Sequence, residues 1–575
     1  INKRGKEVLA KYFRPILCLF PVFFYSNSLL ANSTVFDSQE NSCSNQRQEN
    51  REDINLKRQL DTEQAYPKEA DNKRITKITL KQLNVFDTSL PEEDNFLFRF
   101  ANHAHITTEP EVILSTLLFS QGSKYEIKEL EESERLLRQQ SYLYDARIYA
   151  EETCEDEVHV TVVTRDLWTL LPDISFSRSG GENSSRLGFR ETNLLGYGKR
   201  LSFTATEDKD RTGYLFVYDD PAILSSRYRG RLEYADNSDG ERHYLGAYLP
   251  FYSIKSTHSY GFYTYANKRI ESIYSRNETV SEFLQDTEIT DAYYGFSVQA
   301  PKQWTHRYIV GLHSEKQNFA ATPYSFLAVA KNRAVTYPYL QGQWLQDDYI
   351  KVRNFDSIYR TEDLNLGWNI QAKLGYSSSN WVDDSSHFIY QFSASKAHYT
   401  TERSLWRFNT SIQGEWNTDQ NEARNFISAV NFQYYLNTSI QQSWFANLSL
   451  KYAKNLTADN QLVLGGETGL RGYPLNYQQG SRSVLLNLEK RYYWEYDLLQ
   501  LFKVGGAVFF DAGKVTGQAQ VETNNSLLKN VGFGLRLAPS RANAGTVLHL
   551  DVAAPIGRED NIDSVQWLFT VKNRF

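Results

Sequence analysis

The sequence predicts an all-β transmembrane barrel of about 16 antiparallel strands, preceded by a small α+β domain. Three observations predict it. From residue 172 to residue 575 the chain reads as strands only, one face apolar and the other polar or small, with no helical periodicity between them. Aromatic residues make up 14% of the chain, with 38 Tyr and 33 Phe, yet charged residues make up 23%. That combination suits strands that are apolar on one face only. The N-terminus carries a basic stretch followed by a short apolar run, as an exported chain does.

Residues 1–31 read as a secretory signal. Lys3, Arg4, Lys6, Lys11 and Arg14 form the basic part, and Ile16 to Tyr25 form an apolar core. That core is about ten residues, short of the ~20 that a spanning helix needs. Residues 32–72 are polar and charged, too poor in spaced apolar residues to bury a core, and read as a disordered linker. Residues 73–171 read as β-α-α-β-β. Strands are expected at Ile75–Leu80, Tyr142–Ala150 and Val158–Thr164, and two amphipathic helices at Glu109–Phe119 and Glu126–Gln140.

The barrel region is expected over 172–575. Trp444, Leu448, Leu450 and Tyr452 alternate with Asn447, Ser449 and Lys451. Val484, Leu486 and Leu488 alternate with Asn487 and Glu489; Val504, Val508 and Phe510 alternate with Gly505, Ala507 and Asp511. Val531, Phe533 and Leu535 alternate with Gly532, Gly534 and Arg536; Leu548, Leu550 and Val552 alternate with His549 and Asp551. Tyr492-Tyr493-Trp494 and Tyr434-Tyr435 read as interfacial girdles. Lipid requires every backbone group to be paired, which strands achieve only in a closed barrel. At about 25 residues per strand with its connection, the region yields roughly 16 strands.

Composition points away from several functions. A net charge of -6 gives no reason to expect nucleic-acid binding. Cys18, Cys43 and Cys154 form no close pair of the kind a metal site needs. The ten histidines sit in no nucleophile–base motif. His103-Ala104-His105, read as a loop, lacks further ligands. The expectation is a protein with no enzymatic activity, no cofactor and no metal.

One stretch breaks the strand pattern. Gly465-Gly466-Glu467-Thr468-Gly469-Leu470-Arg471-Gly472-Tyr473-Pro474 holds four glycines between 465 and 472 and cannot be a regular strand. With one Arg and one aromatic in a glycine frame, it reads as a loop folded back into something. By alternation Glu489 and Asp511 lie on the polar faces of their strands, where they can point inward toward Arg471.

Several stretches together resemble the BamA/TamA-like superfamily of POTRA-barrel outer-membrane proteins, whose relatives include surface antigens and the two-partner secretion transporters. The β-α-α-β-β unit resembles a single POTRA domain. Asn193-Leu194-Leu195-Gly196-Tyr197-Gly198 and Tyr218-Asp219-Asp220-Pro221 resemble features of the first barrel strands. Leu470-Arg471-Gly472-Tyr473 resembles the inward-folded loop motif, and Phe510-Asp511-Ala512-Gly513 the aspartate motif of a following strand. The terminal strand, with Trp567, Phe569, Val571 and Phe575, resembles the C-terminal signal of bacterial outer-membrane barrels. The resemblance implies a Gram-negative outer-membrane location with the POTRA domain in the periplasm. It implies a role in inserting or translocating proteins, with an unfolded or secreted client and accessory proteins as partners. Arg471 would anchor the loop on inner-wall partners Glu489 and Asp511. A passive, porin-like channel is the alternative that the polar inner faces allow.

Overall fold

The computed structural model describes Tyr66 and residues 71–572, apart from 155–156, 301–302, 382–384, 522–524, 543–545 and 558–561. The expected signal (1–31), nearly all of the expected linker, and Phe575 lie outside the described residues.

An α+β unit comes first. Its strands are β1 (Arg74–Leu83), β2 (Leu143–Cys154) and β3 (Glu157–Asp166), and its helices are α1 (Phe96–Ala104), α2 (Pro110–Thr116) and α3 (Ile127–Arg138). The sheet order is β1-β3-β2, with β1 parallel to β3 and β2 antiparallel to it. The most apolar strand takes the centre, where Val158, Val160 and Val162 are buried with Ile75 of β1 and Ile148 of β2. Ile113 of α2 and Leu130 and Leu137 of α3 cover that face. Pro110 opens α2 at a position where its missing N–H costs nothing.

The helix pair expected from sequence is corrected to three helices. α1 starts at Asn95, whose side chain accepts a hydrogen bond from the Phe98 N–H at 2.9 Å. Its apolar residues lie on both its inward and its exposed sides, so it shows no simple inward stripe.

All remaining long strands close into one antiparallel barrel. Among the described residues it has 20 strands, the first in two pieces (Leu170–Pro172 and Ser175–Ser179) and the last at Gln566–Lys572. This corrects the expected count of about 16. The reason is the brevity of the connections. Ser275 turns into Glu278 through Arg276 and Asn277, both at positive φ (52° and 75°), and Ser179 into Glu182 through Gly180 and Gly181 (57° and 88°). Two-residue turns of this kind match the strand twist. An even strand number returns the chain to the rim where it started, next to the α+β unit. We call that rim lower and the opposite rim upper.

Side chains alternate as the sequence reading expects over the last strands. Val508, Phe533 and Trp567 are exposed on the outer face, whereas Asp511, Arg536 and Asp551 are buried within the lumen. One expectation is corrected: Tyr435 and Tyr493 are not girdle residues but point inward and are buried. The barrel closes between its last strand and its first. Among the described residues the last strand shares seven registered pairs with its predecessor and one, Phe569 with Arg178, with the first strand.

The inner wall leaves little spare room. A Cβ on Gly534 would lie 1.8 Å from Oδ1 of Asp551, whose carboxylate pairs with Arg536 at 2.6 Å. Gly534→Ala should therefore displace that pair and destabilise the barrel by about 1–3 kcal/mol. It would be read as a lower temperature for conversion of the compact, fast-migrating form on electrophoresis. An unchanged conversion temperature would show that the wall yields there.

Candidate functional site

The segment 455–481, between the fifteenth strand (Gln442–Lys454) and the sixteenth (Arg482–Leu498), leaves the upper rim and folds into the lumen. A small ladder, Leu462–Leu464 with Gln478–Gly480, closes its base. Gly465, Gly466 and Gly469 hold positive φ (149°, 44° and 116°), conformations that other residues adopt only with strain. This tight path turns Leu464, Leu470, Tyr473 and Tyr477 onto Leu485, Val515 and Leu528 of the inner wall. Gly472 is required by proximity, since a Cβ there would come within 2.6 Å of the Asn530 Cβ. The Tyr473 hydroxyl donates to the Lys529 carbonyl at 3.1 Å and accepts from the Lys529 N–H at 3.2 Å.

Arg471 occupies the centre of this contact. Its Nε and Nη2 donate to the two oxygens of Asp511 at 2.9 and 2.7 Å, and its Nη1 donates to Glu489 at 2.8 Å. The guanidinium lies 3.4 Å from the centroid of the Phe509 ring. The strand register supplies Asp511 with further donors. The seventeenth strand (Phe502–Thr516) sets Asp511 opposite Asn487 of the sixteenth and Asn530 of the eighteenth (Leu528–Pro539). Both amides donate to it at 2.8 Å. Glu489 also accepts from Arg491 at 2.9 Å. Three arginines (Arg471, Arg491, Arg536) thus face three carboxylates (Glu489, Asp511, Asp551), all buried. Burial of so many charges is tolerable only because they are paired and hydrogen-bonded.

The loop also reaches across the barrel closure. A Cβ on Gly180, in the first upper turn, would meet the Leu475 nitrogen at 2.2 Å. The loop therefore touches the end of the first strand as well as strands sixteen to eighteen.

A second inward segment comes from the lower rim, between the tenth strand (Arg333–Gln346) and the eleventh (Asn369–Ser377). It is a hairpin of Tyr349–Arg353 and Thr361–Asn365. Glu362 shapes its tip by accepting from the N–H groups of Phe355, Asp356 and Ser357 at 3.0, 2.9 and 3.2 Å. Ile358 is buried against Tyr493, Ala507, Ala538 and Val547 of the inner wall, and Phe355 stacks on Tyr435 at 4.0 Å. The two inward tyrosines are thus seats for this tip.

The hairpin is also bonded to the α+β unit. Arg138 of α3 makes a forked pair with Asp363, at 2.8 and 2.5 Å, and also pairs with Glu134. Lys351 pairs with Glu134 at 2.5 Å. Burial pushes the Glu134 carboxyl upward, but Arg138, Lys351 and the Ile148 N–H outweigh it and hold the group down to about 2. The charged side of α3, with Glu132, Glu134, Arg135 and Arg138, is therefore buried beneath the barrel. The motif Asn193–Gly198 is a lower turn pressed on the same unit: a Cβ on Gly196 would lie 2.7 Å from the Thr107 carbonyl, and Asn193 donates to Thr108 at 2.9 Å.

The structure thus places Leu470, Arg471, Gly472 and Tyr473 in the lumen and brings Arg471 to Glu489 and Asp511. Trp567, Phe569 and Val571 share the outer face of the last strand. The sequence reading missed Arg491, Asn487, Asn530, Arg536 and Asp551. Their signal was their place on the polar faces of the same strands. It also missed the lower hairpin, which carries no glycine-rich signature. His103 lies in α1 rather than a loop, and His105 pairs with Asp166 at 3.0 Å. Among the described residues no group of three or more His, Cys, Asp or Glu could hold a metal ion.

No protein-family model matches the sequence, and no curated protein matches it. Solved structures do. The chain is similar to CdiB from Acinetobacter baumannii, at 12% identity and a TM-score of 0.44, over 87% of this chain and 73% of that one. It is similar to CdiB from Escherichia coli at 11% identity and a TM-score of 0.43, over 87% and 76%. It is similar to BamA from Haemophilus ducreyi lacking POTRA domains 1–3 at 12% identity and a TM-score of 0.35, over 86% and 84%.

Arg471→Ala should cost about 3–5 kcal/mol by leaving a buried carboxylate short of a partner. Arg471→Lys should recover little of it, because an ammonium cannot span Asp511 and Glu489 as a fork does. Limited proteolysis within 455–481 reads the released loop, and adding Asp511→Asn to Arg471→Ala should restore part of the protection. The lowered Glu134 value gives a second expectation. The contribution of this group to docking is complete above the ordinary carboxylate pKa of about 4.3 and is lost as pH falls through about 2. Hydrogen exchange of α3, corrected for intrinsic rates, should show protection falling across that window in the native chain and no such step in Glu134→Gln.

Proposed function

We propose that this chain is an outer-membrane barrel of the BamA/TamA-like kind that assists insertion or translocation of client polypeptides. In this reading the α+β unit is a POTRA domain in the periplasm, the lower rim faces the periplasm, and the exposed apolar outer face contacts the bilayer. The loop with Arg471 is an inward-folded loop anchored on Glu489 and Asp511, and its role is to fix the loop's position.

The observation that carries the reading is a lumen occupied from both rims, by a loop anchored through Arg471 and by a hairpin bonded to the α+β unit. A passive channel needs neither feature, and segments folded into its lumen oppose its task. A protein that handles extended clients can use both. The sheet of the α+β unit ends in β1 and β2. On β2 the Tyr144 and Ala146 carbonyls and the Ile148 N–H are taken by Arg360, Arg138 and Glu134. The β1 edge, with Lys77 and Lys81 exposed, is therefore the place for an added strand. The fit of the superfamily's loop and aspartate motifs to an actual guanidinium–carboxylate contact supports the same reading.

Photocrosslinkers on β1, at Lys77 and Lys81, and on the last strand should capture an unfolded barrel or a secreted polypeptide in cells. In planar bilayers the purified protein should show small, unsteady conductance, raised by deleting 349–365. Large, steady conductance of the native chain together with no captured client would sink the proposal and favour a porin.

A further inference from the structure

We infer that α1 is a membrane-surface helix, seated in the periplasmic leaflet beside the barrel seam. The inference rests on the bilayer orientation proposed above. α1 turns Phe98 inward, stacked on Phe86 at 4.0 Å, with Val85, Ala101, Trp168 and Leu501 around them. At about 100° per residue, Phe96, Leu97 and Phe100 occupy the adjoining arc. They are 79%, 62% and 57% exposed. Arg99 and His103 take the remaining side. Three large apolar side chains of this nine-residue helix are thus left uncovered, while its polar residues are segregated on another face. A helix with separate apolar and polar faces is the form that lies in a bilayer interface.

Its position in the fold selects lipid as the occupant. At one end Glu93 pairs with Arg541, in the turn between the eighteenth strand and the nineteenth (Val547–Pro555), and Leu501 packs from the turn between strands sixteen and seventeen. At the other end His105 and the Thr108 N–H bind Asp166, four residues before the first barrel strand. α1 is therefore bracketed by the lower rim on both sides of the closure. The barrel surface next to it is apolar as well: Leu170 and Ile174 on the first strand, and Tyr496 and Leu499 at the end of the sixteenth, are exposed. The uncovered arc of α1 thus continues the outer apolar band, and a bilayer that meets the band meets the helix. Exposed apolar surface of this extent at an isolated site would otherwise stand in water.

The test uses the full chain in phospholipid vesicles, with Cys18, Cys43 and Cys154 replaced by Ser and single spin labels at Phe96→Cys, Leu97→Cys, Phe100→Cys, Arg99→Cys and His103→Cys. These positions face away from the core, so the substitutions leave the fold intact. A label at Phe533→Cys reports the barrel band independently. Oxygen should relax the labels at 96, 97 and 100 at least several-fold more than a water-soluble nickel chelate does, with the order reversed at 99 and 103. Equal access of the nickel chelate to all five, with Phe533→Cys still oxygen-rich, would overturn the inference while leaving the barrel reading intact. Immobilisation at 96, 97 and 100 only on adding an unfolded client polypeptide would also overturn it, by making the arc a protein-docking face. A nickel-accessible Phe533→Cys would instead refute the bilayer reading on which the inference stands.

Discussion

The arrangement of the lumen depends on one desolvated charge. Arg471 is carried inside the barrel by a loop, and a guanidinium there needs partners in a fixed plane. Asp511 supplies both oxygens and Glu489 a third contact. Each carboxylate then needs support of its own, which fixes Asn487, Asn530 and Arg491. The glycines of the loop and of the wall follow from the same constraint. Gly472 lets the backbone approach Asn530, and Gly534 makes space for the Arg536–Asp551 pair. A buried ionic cluster is a poor source of net stability against an apolar core of equal volume. Its distinctive property is that it tolerates one register of loop against wall and penalises the rest.

The lower hairpin solves a different problem with different chemistry. Its tip is held by apolar packing, Ile358 and Phe355 against inward-facing tyrosines and small wall residues, while its stem is held by ion pairs to α3. Arg138 and Glu134 therefore belong at once to the core of the α+β unit and to its seat under the barrel. Movement of that unit strains the stem, and the stem is continuous with the tip inside the lumen. The two are thus coupled through a connected set of bonds rather than by proximity alone.

Much of this was legible in the sequence, and the limits have physical causes. Alternation gave the inner and outer faces of the last strands because a period of two leaves no ambiguity once one face is apolar. It also placed Glu489 and Asp511 inward, and the glycine cluster marked the loop. Strand number was not legible, because two-residue turns such as Arg276-Asn277 lack the glycine and proline that usually announce them. Tyr435 and Tyr493 were misread since an aromatic at a strand end has the same signature whether it faces lipid or a plug. The lower hairpin was hidden because its turn is shaped by Glu362 accepting backbone N–H groups, an arrangement that sequence spacing does not reveal. α1 escaped because its apolar residues face both the core and the exterior.

The seam draws these features together. Elsewhere the barrel strands hold one another through long ladders, and a ladder opens only by losing many hydrogen bonds in concert. Among the described residues the first and last strands share one registered pair, and contacts outside the ladder hold the first strand at both rims. At the upper rim the inward loop abuts Gly180. At the lower rim the Trp168 N–H donates to the Arg541 carbonyl at 2.7 Å, and Arg541 pairs with Glu93 just before α1. The closure is therefore clamped at its two ends by a loop and by the α+β unit. Both clamps can be released without unzipping any neighbouring strand pair, so other parts of the chain can set the strength of the closure.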